Sequence, residues 1–130
     1  MTAFTTKALP ARPDTVATDG SDVRILAGLA GGDMAHFELA AGRTSLAVAH
    51  RTVEEIWFVL SGQGEMWRSH GGESEIVALC SGVCVTIPLQ THFQYRANGP
   101  DPLRIVAVTM PPWPGDGEAF PVAGPWAPQP

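Results

Sequence analysis

The chain has 130 residues, the size of one domain, and 45% of them are hydrophobic, which is enough to build a buried core. Its formal net charge of −5 argues against nucleic acid or an anionic membrane as a partner. No apolar run approaches the length of a membrane span, and the N-terminus lacks the apolar block of a signal peptide, so a cytoplasmic protein is expected.

Short runs of apolar, β-branched and aromatic residues recur along the chain, with glycine at nearly every corner between them. They predict eight or nine short strands, at 23–29, 34–39, 45–50, 55–60, 65–68, 74–79, 83–87, 92–96 and 103–109. The chain shows no helical period longer than two turns. An all-β sandwich or closed barrel is therefore expected.

Both ends of the chain differ in composition from its middle. Residues 1–20, rich in Thr, Ala, Pro and Asp, predict an extended N-terminal arm that is ordered only if something holds it down. The seven prolines that follow Met110 argue against regular helix or sheet in the tail. Trp113, Phe120 and Trp126 favour an arm, 111–130, that packs over the body or onto a second subunit. The barrel then spans 21–110.

The polar cluster of His50, Glu54 and Glu55 runs directly into five apolar residues, 56–60, which Ser61 and Gly62 end. The apolar run predicts a strand that is buried on both faces. An imidazole and a carboxylate carried into such a strand are costly unless they have partners. By strand alternation, Glu54 faces away from Glu55 and is expected to be solvated.

Cys80 and Cys84 lie close together in the sequence, with no second cysteine pair and no nearby histidine. A local disulfide, half of a metal site and two buried thiols are the three alternatives. The spacing fits a metal site poorly, and free cysteine is one of the most buried residue types, so reduced packing residues are favoured.

Two motifs resemble those of the cupin family, in particular small single-domain bacterial cupins. The first is Gly42, five residues, Val48, Ala49, His50, four residues, Glu55, six residues and Gly62. The second is Gly82, five residues, and then Pro88, Leu89, Gln90, Thr91, His92 and Phe93. The resemblance covers about 22–110 and implies a double-stranded β-helix, or jelly-roll barrel, flanked by the two arms.

In metal-binding cupins these motifs supply three histidines and one glutamate. The resemblance places those positions at Val48, His50, Glu55 and Phe93, of which only His50 and Glu55 are able to bind a metal. A glycine of the second motif is replaced by Gln90.

The resemblance implies a divalent transition metal (Fe, Mn, Ni or Zn) as cofactor, and His50, Glu55 and His92 are its candidate ligands. Alternation turns His92 outward if Phe93 faces the barrel, whereas a one-residue shift in the turn reverses this. His36 is either a core histidine or a third ligand, on the face opposite Phe37 and Leu39. Without a third ligand, no metal is expected, because two protein ligands bind metal weakly.

The same alternation places Trp57, Phe93 and Tyr95 on the inner face with Val48, as candidate substrate-binding residues. These side chains either line an apolar cavity, to which Met66 and Trp67 add, or fill the core of a solid barrel. His70, at a glycine-rich hairpin tip, is expected at the surface. Four arginines are candidates for pairing with a substrate carboxylate: Arg43, Arg51, Arg96 and Arg104.

Two functions remain open at this point. The first is a small-molecule-binding cupin that acts as a metal-assisted enzyme of the dioxygenase, lyase or isomerase type, with His50 and Glu55 as catalytic residues. The second is a non-catalytic ligand-binding or structural cupin with a degenerate, metal-free site. A homodimer is expected in both cases.

Overall fold

The structure is a computed structural model that describes residues 3–130; residues 1 and 2 of the predicted N-terminal arm lie outside the described residues. It is all-β, as predicted, and every predicted strand is present. The eleven strands are β1 (Thr15–Val16), β2 (Asp22–Leu29), β3 (Gly32–Leu39), β4 (Val48–His50), β5 (Glu54–Ser61), β6 (Gln63–His70), β7 (Glu73–Cys80), β8 (Cys84–Ile87), β9 (His92–Ala97), β10 (Leu103–Met110) and β11 (Ala119–Pro121). Within the described range no helix is long and apolar enough to cross a membrane.

The strands form two antiparallel sheets that face each other across one core. The first sheet has the order β1-β2-β3-β10-β5-β8, and the second has the order β11-β4-β9-β6-β7. Alternate residues of the strands point into the space between the sheets, where their apolar side chains pack together. The largest of these are Trp57, Tyr95, Phe93, Leu39 and Met66.

Strand β5 is buried on one face only, so the prediction of burial on both faces is wrong. Trp57 and Val59 face the core, whereas Ile56, Phe58 and Leu60 are 41%, 45% and 42% exposed. The five apolar residues alternate between a packed face and the outer face of an antiparallel sheet. An exposed apolar row of this kind is common at subunit interfaces, and the homodimer stays a prediction.

The two cysteines are free thiols, as predicted, but both are exposed, so their assignment as buried packing residues is wrong. Cys80 ends β7 and Cys84 begins β8, on either side of a tight turn in which the Val83 N–H donates to the Cys80 carbonyl. At both positions the side chain points to the outer face, whereas its neighbours Leu79 and Val85 fill the core.

Both arms are held against the barrel. In the N-terminal arm, β1 pairs with β2. In the C-terminal arm, β11 pairs with β4, so the prediction that proline excludes sheet from this arm is wrong. Strand β11 lies at a sheet edge and ends at Pro121, which is where a sheet tolerates proline. The C-terminal arm packs over the body of the same chain, one of the two arrangements expected for it.

Candidate functional site

His50 and Glu55 form a buried pair where the two sheets come together at one end of the barrel. His50 ends β4, a short turn follows, and Glu55 is the second residue of β5. Nδ1 of His50 lies 2.9 Å from Oε2 of Glu55, and the side chains are 6% and 2% exposed. The contact is a close approach rather than an aligned hydrogen bond, because Nδ1 has no partner that meets hydrogen-bond geometry. The second oxygen, Oε1, accepts a hydrogen bond from Trp57 Nε1 at 3.1 Å.

Two aromatic rings hold the imidazole of His50 edge to face. The ring of Phe93 lies 5.3 Å away between centroids, and that of Trp113 lies 5.1 Å away, both at about 80° to the imidazole. Phe93 is part of the core, whereas Trp113 belongs to the C-terminal arm and is 39% exposed. The arm therefore supplies the outer wall of the His50 site.

The four predicted substrate-binding residues pack together and fill the barrel interior. Trp57, Phe93, Tyr95 and Val48 are each 1% exposed or less. The centroid of the Trp57 ring lies 5.7 Å from that of Phe93 and 5.0 Å from that of Tyr95, again edge to face. Neither of the two cavities described below is lined by any of these four residues. Their burial and mutual packing favour the alternative of a filled core, and their role in substrate binding stays a prediction.

Four buried polar atoms on the inner face have no hydrogen-bond partner among the described residues. They are His50 Nδ1, Arg68 Nε, Thr91 Oγ1 and Thr109 Oγ1. The strand register puts them on one face, because Thr109 is paired with Glu55, and Arg68 is paired with the inward-facing Phe93. Thr91 lies two residues before Phe93 and has the same orientation. Buried polar groups nearly always have a hydrogen-bond partner, and at this end of the barrel bound water or a polar ligand would supply it.

Two cavities adjoin this end of the barrel, and the turn between β8 and β9 contributes to both. One, of about 370 Å³, is lined by Arg68, His70, Glu73, Ser74, Glu75, Thr86, Pro88 and Thr91. The other, of about 380 Å³, is lined by Ala49, His50, Arg51, Gln90, His92 and Phe120. We call the second the His50 cavity. His50 belongs both to the buried pair and to the wall of this cavity.

The remaining histidines do not join the pair. His92 is exposed and alternates with the buried Phe93, as the strand parity predicted, and it lines the His50 cavity instead. His36 is buried on the outer face of the other sheet, next to Arg24 and Glu38, so it is not a third ligand. Burial and the nearby Arg24 lower the pKa of His36. His70 is exposed at the β6–β7 hairpin, as expected.

These placements decide whether the site fits a metal ion. Val48 and Phe93 occupy two of the four positions where the family pattern places metal ligands, and both are apolar and buried. Within residues 3–130 no group of three or more His, Cys, Asp or Glu side chains is arranged to hold a metal. The predicted set of His50, Glu55 and His92 is therefore not assembled, and the donors present do not fit a metal centre.

A second buried acid, Asp19, lies near the pair and was missed because the composition of residues 1–20 predicts only an extended arm. Asp19 is 7% exposed, and its Oδ1 accepts a hydrogen bond from the Ser21 N–H at 2.9 Å. The hydroxyl of Ser21 is hydrogen-bonded to that of Tyr95. Burial raises the pKa of Asp19, and the charge of Glu55 adds to this effect. The segment that precedes β2 therefore closes the barrel near Glu55 with polar groups.

Glu118 of the C-terminal arm holds the turn that joins His50 to Glu55. Its carboxylate accepts hydrogen bonds from the backbone N–H of Thr52, at 2.8 Å, and from the Thr52 hydroxyl. The Arg51 N–H donates to the Glu118 carbonyl at 3.0 Å. Burial by itself raises the pKa of Glu118, but the hydrogen bonds from Thr52 and neighbouring backbone groups outweigh it, and the pKa is lowered.

We expect the contribution of Glu118 to stability to depend on pH. Its folded pKa is depressed, so the carboxylate stabilises the fold above its ordinary pKa of 4.5, and this contribution is lost as pH falls through the folded value. Glu118→Gln should therefore lower Tm at pH 7, and the difference from the parent should narrow below about pH 4. Thermal melts of both proteins across this range test the prediction, and a constant difference would contradict it. Glu54→Gln, which changes an exposed glutamate, is the control.

Solved structures that resemble the chain share the fold at low sequence identity. An uncharacterized conserved protein with a double-stranded β-helix domain from Klebsiella pneumoniae is 16% identical, with a TM-score of 0.66 over 80% of this chain and 85% of that one. The capsular polysaccharide assembling protein CapF from Staphylococcus aureus is 17% identical, with a TM-score of 0.64 over 77% of this chain. A Bacillus subtilis oxalate decarboxylase, studied for its Mn(II) centres, is 14% identical, with a TM-score of 0.71 over 85% of this chain.

The chain spans 31% of the CapF chain and 30% of the oxalate decarboxylase chain. No curated protein sequence matches it. The pattern that defines the cupin domain matches residues 35–109, more than half of the chain and the part that holds both predicted motifs. The chain belongs to the cupin family.

Proposed function

We propose that this cupin binds a small organic molecule at the His50 cavity, whose wall includes His50, and that Glu55 lies behind His50 outside the wall. The observation that carries the proposal is the double position of His50, which touches Glu55 at 2.9 Å and also lines a cavity of about 380 Å³. Cavities of a few hundred Å³ with a few converging polar groups are typical of small-molecule sites.

The geometry of the pair defines what His50 can do chemically. A carboxylate beside Nδ1 favours the tautomer with its proton on Nδ1, which leaves Nε2 as the nitrogen that accepts a proton. Phe93 and Trp113 restrict rotation of the ring. His50 is therefore an oriented imidazole that can accept a hydrogen bond or a proton from a ligand without help from a metal.

An acid–base enzyme of the lyase or isomerase type is the second candidate, because an imidazole oriented by a carboxylate is a usual general base. In that case His50 removes a proton from the ligand, and Glu55 stabilises the imidazolium that forms. If so, C–H signals of a bound ligand should disappear in D2O with the parent protein and persist with His50→Ala.

Ligand-observed NMR with a mixed set of small acids, amides and alcohols tests the binding proposal. We expect saturable binding to the parent that is lost in His50→Ala and weakened in Glu55→Gln. Thermal melts confirm that both variants are folded. His70→Ala is the matched control, since His70 lines the other cavity and is exposed. Binding that persists in both His50 and Glu55 variants, or that is lost only in His70→Ala, would refute the proposal.

A further inference from the structure

We infer that the ligand of the His50 cavity is a small organic carboxylate held by Arg51, Gln90 and His92. The inference rests on the proposed function and names the chemical class of its ligand. It starts from the charges of the cavity wall, which holds one guanidinium, two imidazoles and one amide, but no carboxylate. The chain as a whole carries a formal charge of −5, so a carboxylate-free basic wall stands out from the rest of the surface.

The cavity lined by Arg68 has the opposite character and is a poor site for an anion. Glu73 and Glu75 line it, and Arg68 is already paired with Glu75 at 2.7 Å. The other Arg68 amino group donates to the Thr86 carbonyl at 2.7 Å. An anion that entered this cavity would face two carboxylates and an arginine whose charge is already neutralised.

Arg51 differs from the ion-paired arginines of the chain. Arg24, Arg68, Arg96 and Arg104 each pair with a glutamate, whereas Arg51 makes no ion pair within residues 3–130. Its Nε donates to the Gly117 carbonyl at 2.8 Å, and its guanidinium lies 4.6 Å from the centre of the Phe120 ring. These two contacts fix the plane of the guanidinium while its two terminal amino groups make no hydrogen bond to a described residue.

A guanidinium held in this way suits a carboxylate, because its two parallel N–H groups match the two oxygens of the anion. Of the four arginines that the sequence offered for this role, the structure favours Arg51. Arg96 and Arg104 are bound to Glu65 and Glu38. Arg43 is exposed and lines neither cavity.

Gln90 supplies an independent observation. Its φ is +64°, and it is the one non-glycine residue of the described chain with a positive φ. Glutamine is disfavoured in this left-handed region, where glycine carries no such cost, and a glycine is what the family motif has here. A residue held in an unfavourable conformation with its side chain on a cavity wall points to a role for that side chain. Its amide can donate a hydrogen bond to an anion.

The remaining wall sets the shape of the ligand. Phe120 is half-buried and Ala49 is buried, so they offer an apolar surface beside the basic groups. A carboxylate attached to a flat apolar body fits this combination and the cavity volume. Benzoate is therefore a suitable probe, and benzamide is its neutral counterpart of nearly the same shape.

Titration calorimetry with benzoate and benzamide tests the inference on the full chain. We expect benzoate to bind saturably and benzamide to bind more weakly by about tenfold or more, as a lost charge-assisted contact requires. Arg51→Gln should weaken benzoate binding by about the same factor, and Arg51→Lys should weaken it less. Arg43→Gln is the matched control and should bind benzoate like the parent. Gln90→Gly should melt at a higher temperature than the parent and bind benzoate more weakly.

Contradictory outcomes separate the inference from the proposed function. Equal binding of benzoate and benzamide, parent-like binding by a folded Arg51→Gln, or no saturable benzoate binding would overturn the carboxylate ligand. If neutral ligands still bind to the parent and fail to bind to His50→Ala, the proposed function stands without the carboxylate ligand. A lower melting temperature for Gln90→Gly would overturn the argument from backbone conformation.

Discussion

Trp57→Ala is expected to lower the free energy of unfolding by about 3–5 kcal/mol, the usual cost of removing a large buried aromatic side chain. Trp57 is 1% exposed, and its ring packs edge to face on Phe37, Phe93 and Tyr95. Its removal leaves a cavity at the centre of the barrel, because strands on both sheets hold the neighbouring rings in place. It also takes the Nε1–H donor away from Glu55. Urea unfolding followed by far-UV circular dichroism measures the loss.

The same substitution at a second tryptophan is the control. Trp113→Ala removes a ring of equal size that is 39% exposed and packs on His50, so its cost should be much smaller. Trp57→Phe keeps most of the packing and loses the hydrogen bond to Glu55, and it should fall between the two. Equal losses for Trp57→Ala and Trp113→Ala would contradict the packed barrel interior described above.

Gln94→Leu is expected to have the second largest effect, since it removes three hydrogen bonds of a buried side chain, two of which attach the C-terminal arm. Gln94 is fully buried, and its Nε2 donates to the carbonyls of Ser45, at 2.7 Å, and Trp126, at 2.9 Å. Its Oε1 accepts from the Trp126 N–H at 3.1 Å. Leucine has a similar volume but leaves three backbone groups unpaired, and each one costs roughly 1–3 kcal/mol while it stays buried. The total loss of stability should be smaller than the sum of these three costs, because the arm can detach and expose the unpaired groups to water.

Two measurements check this prediction. Urea unfolding should show the loss of stability, and limited proteolysis should cut the C-terminal arm of the variant before that of the parent. Gln63→Leu, at an exposed glutamine, is the control and should change neither. A Gln94→Leu protein with parent-like stability and protease resistance would contradict the prediction and mean that other contacts, such as the stacking of Arg96 on Trp126 at 4.1 Å, hold the arm without Gln94.

The strands of the barrel were predictable because each long strand carries its own signal. Apolar residues alternate along them, and glycines with positive φ, such as Gly62 and Gly82, turn the chain between them. Strands β1 and β11 were missed because they are two and three residues long, and they form only where a neighbouring strand offers an edge. Burial of β5 was misjudged since the sequence does not reveal what covers the outer face of a sheet.

The site was predictable only in part. The His50–Glu55 pair follows from the first motif, and strand parity correctly turned His36 and His92 away from it. Thr91 has the same parity as Phe93, and Thr109 faces the same side of its sheet as Glu55, its partner in the neighbouring strand. The alternation rule, extended to hydroxyl residues, would therefore have found both threonines. Asp19 comes from a separate segment that only tertiary structure brings to the site.

For three further contributors to the His50 cavity, the sequence did not reveal their position on its wall. Phe120 reaches the cavity because β11 pairs with β4, and Arg51 points there because Gly117 and Phe120 fix its side chain. Gln90 was visible only as a departure from the family glycine. Its meaning depends on a left-handed backbone that the sequence does not reveal.

The most direct test of the account is NMR of the histidine ring signals during a titration with benzoate. Binding at the His50 cavity predicts saturable shifts of the His50 and His92 rings with one common dissociation constant, and unchanged signals from His36 and His70. Benzamide at the same concentrations should leave all four rings nearly unchanged. Shifts of His70 without shifts of His50 would place the ligand in the other cavity and contradict the account.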